Sequence, residues 1–399
     1  MNLRIIIAIA ALLNGCSGGG EATSEVVPQL PIEVLPELVE FHCIPGPECR
    51  ELIVDGDALA TLGSGQAPFR GYADPSLTFD AQSNTLWLSY SWLSTAVEVL
   101  GPPPQPDFLV STHLASSTNS GASFEFVREI NQNTLIAHPD NGEQGWLTHE
   151  VSTLTRSADG DWQVLWLQYF DPVGELERGD FLLNRSVANS PAALGDVIEP
   201  WIRTAATSES FGAIERLSSI QELADCTIFT EPALFNDEQN TYLAMNCLVI
   251  RDSARQSEED RLFVLRQSES GESYEYLGIL INNADAESLG GDVLEQADFV
   301  VARDGRLLLL ATPIRHDAQP PHQGCVALEV ESLANATMRR TSSGGLVERA
   351  RITADGDGLG PGLCTYHAES DTGIILAIPK LTQNPTELTL TMHATGIHP

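Results

Sequence analysis

Five segments of this chain repeat one order of features: an acidic or histidine side chain, a β-type hydrophobic run, a turn, and a second run richer in aromatics. They begin at or near Asp74, His149-Glu150, Glu231, Asp298 and Tyr366-His367. The starts at Asp74, Glu150, Glu231 and Asp298 are 76, 81 and 67 residues apart, which suits one four-stranded propeller blade with long loops. Because the first strand of each blade faces the axis, the repeat would gather these side chains in one central pocket.

The rest of the sequence also favours an all-β fold. Strand-like runs such as Trp162 to Phe170 and Leu307 to Thr312 alternate with turn dipeptides such as Asp304-Gly305. Helical periodicity is confined to a stretch around Ser218 to Ala224. A radial arrangement leaves no long exposed strand edges. We therefore predict a five-bladed β-propeller, or six blades if residues 50 to 70 supply another inner strand.

The first residues predict export. Arg4 precedes an apolar stretch, Ile5 to Leu13, that is long enough for a signal peptide and too short to span a bilayer. The stretch ends in Leu13-Asn14-Gly15-Cys16, which resembles the lipobox of bacterial lipoproteins. This resemblance implies cleavage before Cys16, lipidation of that cysteine and, with Ser17 next, location in the outer membrane. An ordinary secretory signal with an incidental Cys16 is the alternative.

These features divide the chain into a signal peptide over residues 1–15, a flexible tether over 16–40 and a propeller domain over 41–399. The tether is rich in glycine and then spaced by proline, with few aromatics, a composition that cannot bury enough surface to fold alone. The lipid is then the expected attachment of the propeller to the membrane.

Cysteine usage agrees with export. Without Cys16, six of the seven cysteines remain. In an oxidising compartment we expect structural disulfides, and neighbouring positions in the repeat favour local pairing. The expected pairs are Cys43 with Cys49, Cys226 with Cys247, and Cys325 with Cys364. None of these pairs has the Cys-x-x-Cys spacing of zinc sites, so no metal centre is predicted from them.

The charge of the chain restricts its partners. With 55 acidic and 21 basic residues the formal net charge is -34, and Lys380 is the only lysine. Such a surface repels phosphate backbones, so nucleic acid is not an expected partner. It also repels anionic membranes, and most exposed carboxylates are expected to serve solubility.

Asp74-Pro75 and Glu231-Pro232 resemble the signatures of five-bladed glycosidases of the arabinofuranosidase and xylosidase type. The resemblance implies that Asp74 is the general base and Glu231 the general acid. Glu150 is the nearest candidate for the family's third carboxylate, although the family has Asp there. His367 occupies a place comparable to a histidine that reaches an axial metal or water in some of these enzymes. An axial calcium ion is therefore the cofactor that the resemblance allows.

Two further segments resemble the Asp box of sialidase-like propellers: Ser117 to Phe124, with Asn119 in place of the aspartate, and a weaker copy over Gln267 to Tyr274. In such folds the box is a structural turn between the last two strands of a blade, away from the catalytic face. It therefore predicts the fold and not an activity.

Several other side chains are candidates for contacts with a ligand. The predicted binding residues are Arg70, Trp92, Trp146, His149, Asp298, Tyr366 and His367. The two tryptophans lie near predicted strand ends, where aromatic rings can stack on sugar faces, but such rings more often fill the space between blades. The carboxylates at the repeat starts can equally cap strands or bind a cation.

Taken together, these residues predict an envelope lipoprotein that binds, and in the catalytic interpretation hydrolyses, a carbohydrate such as an envelope polysaccharide at the axis of a propeller. Glycoside cleavage needs two carboxyl groups whose environments separate their pKa values, and strands that converge on an axis can supply them. The alternative is a non-catalytic propeller that presents a surface to a protein or polysaccharide. The sequence has no Gly-x-Ser-x-Gly elbow, phosphate loop or His-Glu-x-x-His motif.

Overall fold

The computed structural model describes residues 37–57, 69–97, 106–157, 159–173, 179–205, 211–214, 216, 217, 219–237, 239–268, 271–381 and 388–399. All of them lie within one compact unit, Pro36–Pro399. Cys16, the signal peptide and the tether through residue 36 are outside the described residues. Within the described part, no helix has the length and apolar character needed to cross a bilayer.

Strands dominate the described chain. The N-terminal segment and blade 1 contain β1 (Val39–Cys43), β2 (Arg50–Leu52), β3 (Val54–Asp55), β4 (Phe69–Asp80), β5 (Thr85–Val97), β6 (Pro106–Ser117) and β7 (Phe124–Glu129). Blade 2 contains β8 (Thr134–Ala137), β9 (Gln144–Arg156), β10 (Trp162–Pro172), β11 (Gly179–Ala188) and β12 (Glu199–Arg203).

Blade 3 contains β13 (Ile228–Asn236), β14 (Thr241–Leu248), the small hairpin β15 (Ile250–Arg251) and β16 (Ala254–Arg255), β17 (Arg261–Gln267) and β18 (Tyr274–Asn282). Blade 4 contains β19 (Val293–Val301), β20 (Leu307–Ile314), β21 (Cys325–Ser332), β22 (Thr337–Met338) and β23 (Glu348–Ala354). Blade 5 contains β24 (Gly362–Thr365), β25 (Ile375–Leu381) and β26 (Leu388–Ala394).

Helices are few and short among the described residues. They are the α-helix α1 (Asn283–Ser288) and the 3-10 helices Pro191–Ala193, Gln221–Leu223 and Ser257–Glu259. The helix expected around Ser218 to Ala224 is therefore a single 3-10 turn. A capping box stabilises α1, because the Asn282 side chain accepts from the Asp285 backbone and the Asp285 side chain accepts from the Asn282 backbone.

The blades form a ring of five. Their first strands β4, β9, β13, β19 and β24 each contact the next, and β24 returns to β4. In each blade the following strands pair antiparallel outward from this axial strand, and in blade 2 the short β8 pairs with the other edge of β9. The five-bladed prediction is confirmed. Each blade thus places its first strand beside the axis and its last strand at the rim.

Hydroxyl groups join neighbouring blades near the axis. The Leu77 amide donates to Thr365 Oγ1 (3.1 Å) and the Leu154 amide to Ser76 Oγ (3.1 Å). The same contact links the Leu234 amide to Thr153 Oγ1 (3.0 Å). Each bond satisfies a backbone N–H that the adjacent blade would otherwise bury without a partner. Small hydroxylated residues therefore hold the ring together where the strands are most crowded.

Residues 39–55 run along the rim instead of adding an inner strand. β1 pairs parallel with β23 of blade 4, β2 pairs with β26 of blade 5, and β3 pairs parallel with β7 of blade 1. We call these three strands the strap. Its middle strand completes blade 5, which has only three strands of its own. The strap covers strand edges that would otherwise invite pairing with other chains, and β2 and β3 supply no sixth blade.

Large apolar side chains fill the space between and within blades. Trp162, Trp166, Trp201 and Tyr169 are each at most 2% exposed. Truncation of such buried aromatics to alanine typically costs about 3–5 kcal/mol, because it removes apolar contacts and leaves a cavity. Packing, and not ligand contact, therefore explains Trp166 and Tyr169.

The three expected disulfides are present. Cys43 is bonded to Cys49, Cys226 to Cys247, and Cys325 to Cys364. The last pair joins β21 of blade 4 to β24 of blade 5. Covalent links thus stabilise the strap, blade 3 and the contact between blades 4 and 5.

The two predicted structural turns lie between the last two strands of their blades. Between β6 and β7, the Gly121 amide donates to Ser117 Oγ (2.9 Å) and the Ser123 amide to Asn119 Oδ1 (3.1 Å). Between β17 and β18, the Ser273 amide donates to Ser268 Oγ (3.2 Å). Asn119 therefore performs the acceptor role expected of an aspartate at that position.

Candidate active site on the propeller axis

Every first strand contains a β-bulge whose central residue has a positive φ although it is not glycine. These residues are Asp74 (47°), Val151 (51°), Glu231 (54°), Gln296 (47°) and Leu363 (54°). The pairing of each strand with its neighbour shifts register at that point. Such conformations cost about 1–3 kcal/mol each and turn a side chain out of the normal strand alternation. The fivefold repeat of the bulge defines the level of the site.

The bulges surround a cavity of about 270 Å³, which we call the axial cavity. Four carboxylates line it: Asp74, Glu150, Glu231 and Glu295. Its remaining wall is mainly aliphatic, from Leu93, Val110, Leu359, Leu363 and Leu390. For Asp74, Glu231 and Glu295, poor solvation in such a wall disfavours the charged form and raises the pKa.

The four carboxylates occupy two different positions relative to the bulges of their strands. Asp74 and Glu231 occupy the bulge position in blades 1 and 3. Glu150 and Glu295 immediately precede the bulge residues Val151 and Gln296 in blades 2 and 4. Four blades therefore each contribute one acid, and blade 5 contributes the apolar Leu363.

Two donors hold the Asp74 carboxylate. Ser91 Oγ donates to Asp74 Oδ2 (2.6 Å), and the Val151 amide donates to the same oxygen (3.2 Å). Burial, followed by the negative charge of Glu150, raises the pKa of Asp74 to about 7, and the two hydrogen bonds act in the opposite direction. Asp74 is therefore ionised above neutral pH and already oriented by blades 1 and 2.

Glu231 is held differently. The Gln296 amide donates to Glu231 Oε2 (2.8 Å), and Thr230 Oγ1 lies 3.3 Å from Oε1. Burial raises the pKa of Glu231 well above its usual value, and the charges of Glu295, Asp74 and Glu150 add to this effect. Burial and three neighbouring negative charges therefore all favour the protonated form of Glu231.

The other two acids have partners outside the cavity. Tyr169 donates a hydrogen bond to Glu150 Oε2 (3.0 Å). Burial raises the pKa of Glu295, and the positive charge of Arg255 opposes that rise. Glu295 thus places a further acidic group beside Glu231, and its neighbour Gln296 binds Glu231 directly.

Sequence reasoning missed Glu295 and His322, which also lines the cavity. The sequence repeat takes Asp298 as the counterpart of Asp74 and Glu231 in blade 4. The residue with the same bulge conformation there is Gln296, two positions earlier. Glu150 and Glu295 occupy the same position, directly before the bulge residue of their blades. This correspondence is the signal that could have identified Glu295. His322 lies beyond β20, and burial lowers the pKa of its ring to about 4, so the imidazole is neutral.

Most of the predicted binding residues lie outside the axial cavity. His149 is buried and accepts from Trp166 Nε1 (3.1 Å), and burial lowers its pKa to about 4. Asp298 is buried and accepts from Ser76 Oγ (3.3 Å) and Thr365 Oγ1 (2.5 Å). Asp298 therefore links blades 4, 1 and 5, and His149 packs within blade 2.

The aromatic candidates are packing residues. Trp92 is 5% exposed and stacks on His113, with 5.5 Å between ring centroids. Tyr366 is fully buried and packs against His398. Trp146 is half-buried in β9, where it pairs with Asp171 and Leu135. Neither Trp92 nor Tyr366 lines the axial cavity, so their contact with a ligand stays a prediction.

Two candidates remain to be placed. His367 is partly buried; its Nδ1 accepts from the Glu369 amide (3.2 Å), and its ring lies 5.8 Å from that of Phe79. It does not line the axial cavity. Arg70 lies in β4 opposite Thr389, at the junction of blades 5 and 1, and its side chain is outside the described part of the structure.

The described side chains of the axial cavity do not form a preassembled cluster of ligands for the axial calcium ion that the resemblance allows, so this ion stays a prediction. Calcium requires six to eight oxygen ligands at about 2.3–2.6 Å. The clusters of three potential ligands within 4.8 Å that occur among the described residues are Cys43, Cys49 and His393, and Asp225, Cys226 and Cys247. Both contain a disulfide, and neither includes an acid of the axial cavity. No chemical step is assigned to a metal here.

Fold and site together define the class of this chain: a five-bladed β-propeller with four carboxyl groups, from Asp74, Glu150, Glu231 and Glu295, gathered in one axial cavity. No family model matches the sequence, and no curated protein does. Solved structures that match include glycoside hydrolases.

Three of these structures illustrate the degree of similarity. The GH43_1 enzyme from Xanthomonas citri complexed with xylose is 13% identical (TM-score 0.46) and covers 84% of this chain and 91% of its own. An arabinanase from Bacillus subtilis is 12% identical (TM-score 0.43; 82% and 96% covered). The catalytic domain of the GH62 alpha-L-arabinofuranosidase from Coprinopsis cinerea is 10% identical (TM-score 0.45; 86% and 94% covered). At sequence identities of 10–13%, these structures do not establish an activity for this chain, so its function has to be argued from its own residues.

Proposed function

We propose that this chain is a glycoside hydrolase whose reaction takes place in the axial cavity. The observation that carries the proposal is the convergence of Asp74 and Glu231, from non-adjacent blades, on one small and largely apolar cavity. Glycosidic bond cleavage needs a protonated acid at the leaving oxygen and an ionised carboxylate on the other side of the bond. Burial and the charges of Glu295, Asp74 and Glu150 favour the protonated form of Glu231, and the hydrogen bonds from Ser91 and Val151 favour the ionised form of Asp74.

In this proposal Glu231 donates its proton to the leaving-group oxygen. The negative charges of Glu295, Asp74 and Glu150 favour the protonated form before the reaction. Asp74, oriented by Ser91 and Val151, accepts a proton from the attacking water. The C–O bond breaks as the water oxygen bonds to the anomeric carbon, so the leaving group departs as a neutral alcohol.

Glu231→Gln and Asp74→Asn test these roles separately. On glycosides with a poor leaving group, both changes should lower kcat by about 10²–10⁴-fold, the usual contribution of a general acid or base. On dinitrophenyl glycosides, which leave without protonation, Glu231→Gln should recover most of the activity and Asp74→Asn should not. The measurement is initial rate across a panel of aryl glycosides and polysaccharides.

Glu125→Gln is the matched control, since it removes an exposed carboxylate on β7, outside the axial cavity. It should behave as the wild type. Equal activity of Glu231→Gln and wild type on poor leaving groups would exclude Glu231 as the acid. Binding of a glycan without turnover by the wild type would favour the non-catalytic alternative.

We further propose that the propeller is held at the cell envelope through a lipid on Cys16, a residue outside the described part of the structure. The support is the Leu13-Asn14-Gly15-Cys16 motif after a short apolar stretch. Cys16→Ser should move the protein from the detergent phase to the aqueous phase, and mass spectrometry should show loss of the acyl groups. Unchanged partitioning of the variant would contradict the anchor.

A further inference from the structure

A second and larger cavity, of about 700 Å³, lies between blades 2 and 3. We call it the turn cavity because turns form half of its wall. Ser157 and Asp159 come from the turn after β9, Asn240 from the turn after β13, and Ser273 from the turn after β17. It is therefore at the end of the first strands, whereas the acids of the axial cavity lie in the first half or middle of those strands.

The two cavities are well separated along the strands. Glu231 in the axial cavity precedes Asn236, the last residue of β13, by five positions. At about 3.3 Å per residue this is roughly 17 Å before the chain reaches the turn with Asn240. A ligand in the turn cavity would therefore not contact the proposed catalytic acids.

Gln163 presents a hydrogen-bonding group to the turn cavity. Its side chain lines the cavity, and the residue is only 7% exposed. A side-chain amide both donates and accepts hydrogen bonds. A ligand that supplies both a donor and an acceptor would satisfy this group.

The charged groups of the turn cavity are fixed and balanced. Arg185 lies over the Trp201 ring with 3.2 Å from its guanidinium carbon to the ring centroid, and its Nη2 is 2.8 Å from Glu199. Its Nε is buried without a hydrogen-bond partner among the described residues. Arg266 is paired with Glu275, with Nη2 and Oε2 2.5 Å apart. The guanidinium groups are therefore pre-oriented, and carboxylates neutralise their charge.

The remaining wall offers uncharged donors and acceptors. Amides and hydroxyls line it at Gln239, Asn240, Thr241, Gln267, Ser268 and Ser273. Drug-like and lipid ligands prefer mainly apolar pockets, which this one is not. A polyanion would meet a protein of net charge -34 without an excess of cations in the wall. Neutral polyhydroxylated chains match such a lining, because each sugar hydroxyl both donates and accepts.

We propose that the turn cavity is a second binding site, for a segment of a neutral polysaccharide, on the end of blades 2 and 3 opposite the axial cavity. It binds without cleaving and would retain the propeller on a long glycan. The proposal does not depend on hydrolysis in the axial cavity, because its lining residues are distinct and its readout is binding.

Affinity electrophoresis of the full chain tests this site. The Glu231→Gln background prevents consumption of the probe, and the gels contain arabinoxylan, laminarin, dextran or, as the anionic comparison, polygalacturonate. At least one neutral polysaccharide should retard the protein. Gln163→Met, which keeps the side-chain volume without the amide, and Ser273→Trp, which fills the cavity from an exposed position, should each weaken retardation about tenfold or more.

Gln221→Met is the matched control, because Gln221 is exposed on a 3-10 helix and lines neither cavity. It should bind as the parent does, and thermal melting should show that Gln163→Met and Ser273→Trp remain folded. Retardation unaffected by both variants, retardation by polygalacturonate alone, or none by any neutral polysaccharide would each overturn the proposal. Ser273→Trp keeps the test valid if Gln163→Met proves unstable.

Discussion

Two neighbours of Asp74 act in opposite directions on the pKa of its carboxyl group. Glu150 favours the protonated form of Asp74 through like charge, and Ser91 favours the ionised form through a hydrogen bond. If Asp74 is the general base, kcat/KM should rise as the pH passes through about 7. The rising limb of the profile therefore reports on Asp74.

Two single changes should move the rising limb of that profile in opposite directions. Glu150→Gln removes a negative charge, so the pKa of Asp74 falls and the limb moves to lower pH. Ser91→Ala removes a donor to the carboxylate, so the pKa of Asp74 increases and the limb moves to higher pH. Rates measured from about pH 5 to about pH 10 decide this. Shifts of the same sign would mean that Asp74 is not the group that titrates.

At the scale of strands, the junction of blades 5 and 1 depends on Gly71. This residue lies in β4 beside Leu390 of β26, and a Cβ there would lie 2.1 Å from the Leu390 carbonyl oxygen. Its φ of 131° is also unfavourable for other residues. Gly71→Ala should therefore destabilise the protein by about 3 kcal/mol or more, since backbone must move.

Gly142 is the control for this change. It also has a positive φ, of 75°, but no atom lies within 4 Å of the position that a Cβ would take there. Gly142→Ala should cost only about 1 kcal/mol, from backbone strain alone. Urea midpoints compare the two variants. Equal losses would show that the close approach of β4 and β26 does not restrict this junction.

The same strands show what the sequence could reveal. Hydrophobic runs and turn dipeptides predict the five blades, because alternation and turn chemistry are local properties. The bulges are not predictable in this way, since the five residues with positive φ are Asp, Val, Glu, Gln and Leu. Contacts between blades impose that conformation, for example the bond from the Val151 amide to Asp74. This is why Asp74 and Glu231 could be proposed while Glu295 was missed.

For the whole molecule, buried acids should make folding sensitive to pH. Burial raises the pKa of Asp74 and of Asp298 to about 7, from an ordinary value of 3.8. The folded state then binds protons that the unfolded chain releases, so the stability that is present below pH 3.8 is lost as the pH rises toward 7. Groups with lowered pKa values, such as Asp225 beside Arg261, act oppositely, and their contribution is lost at acid pH.

We therefore expect the free energy of unfolding to decline between about pH 4 and about pH 7. Asp298→Asn should flatten this decline, because a side-chain amide at that position cannot titrate. Urea unfolding at several pH values measures the slope. Repulsion among the surface carboxylates has the same sign, but salt at about 0.5 M screens it and leaves the buried groups unaffected. A slope that salt abolishes, or that Asp298→Asn leaves unchanged, would contradict this origin.

The strap has a consequence for the order in which the molecule is built. Val39 pairs with Ala350, so the earliest described strand to leave the ribosome finds its partner only when nearly the entire nascent chain has followed. Contacts so distant in sequence form late and slowly. Completion of blade 5 by β2 must therefore wait for the blade that is synthesised last, and until then the strands of the strap lack their pairing partners.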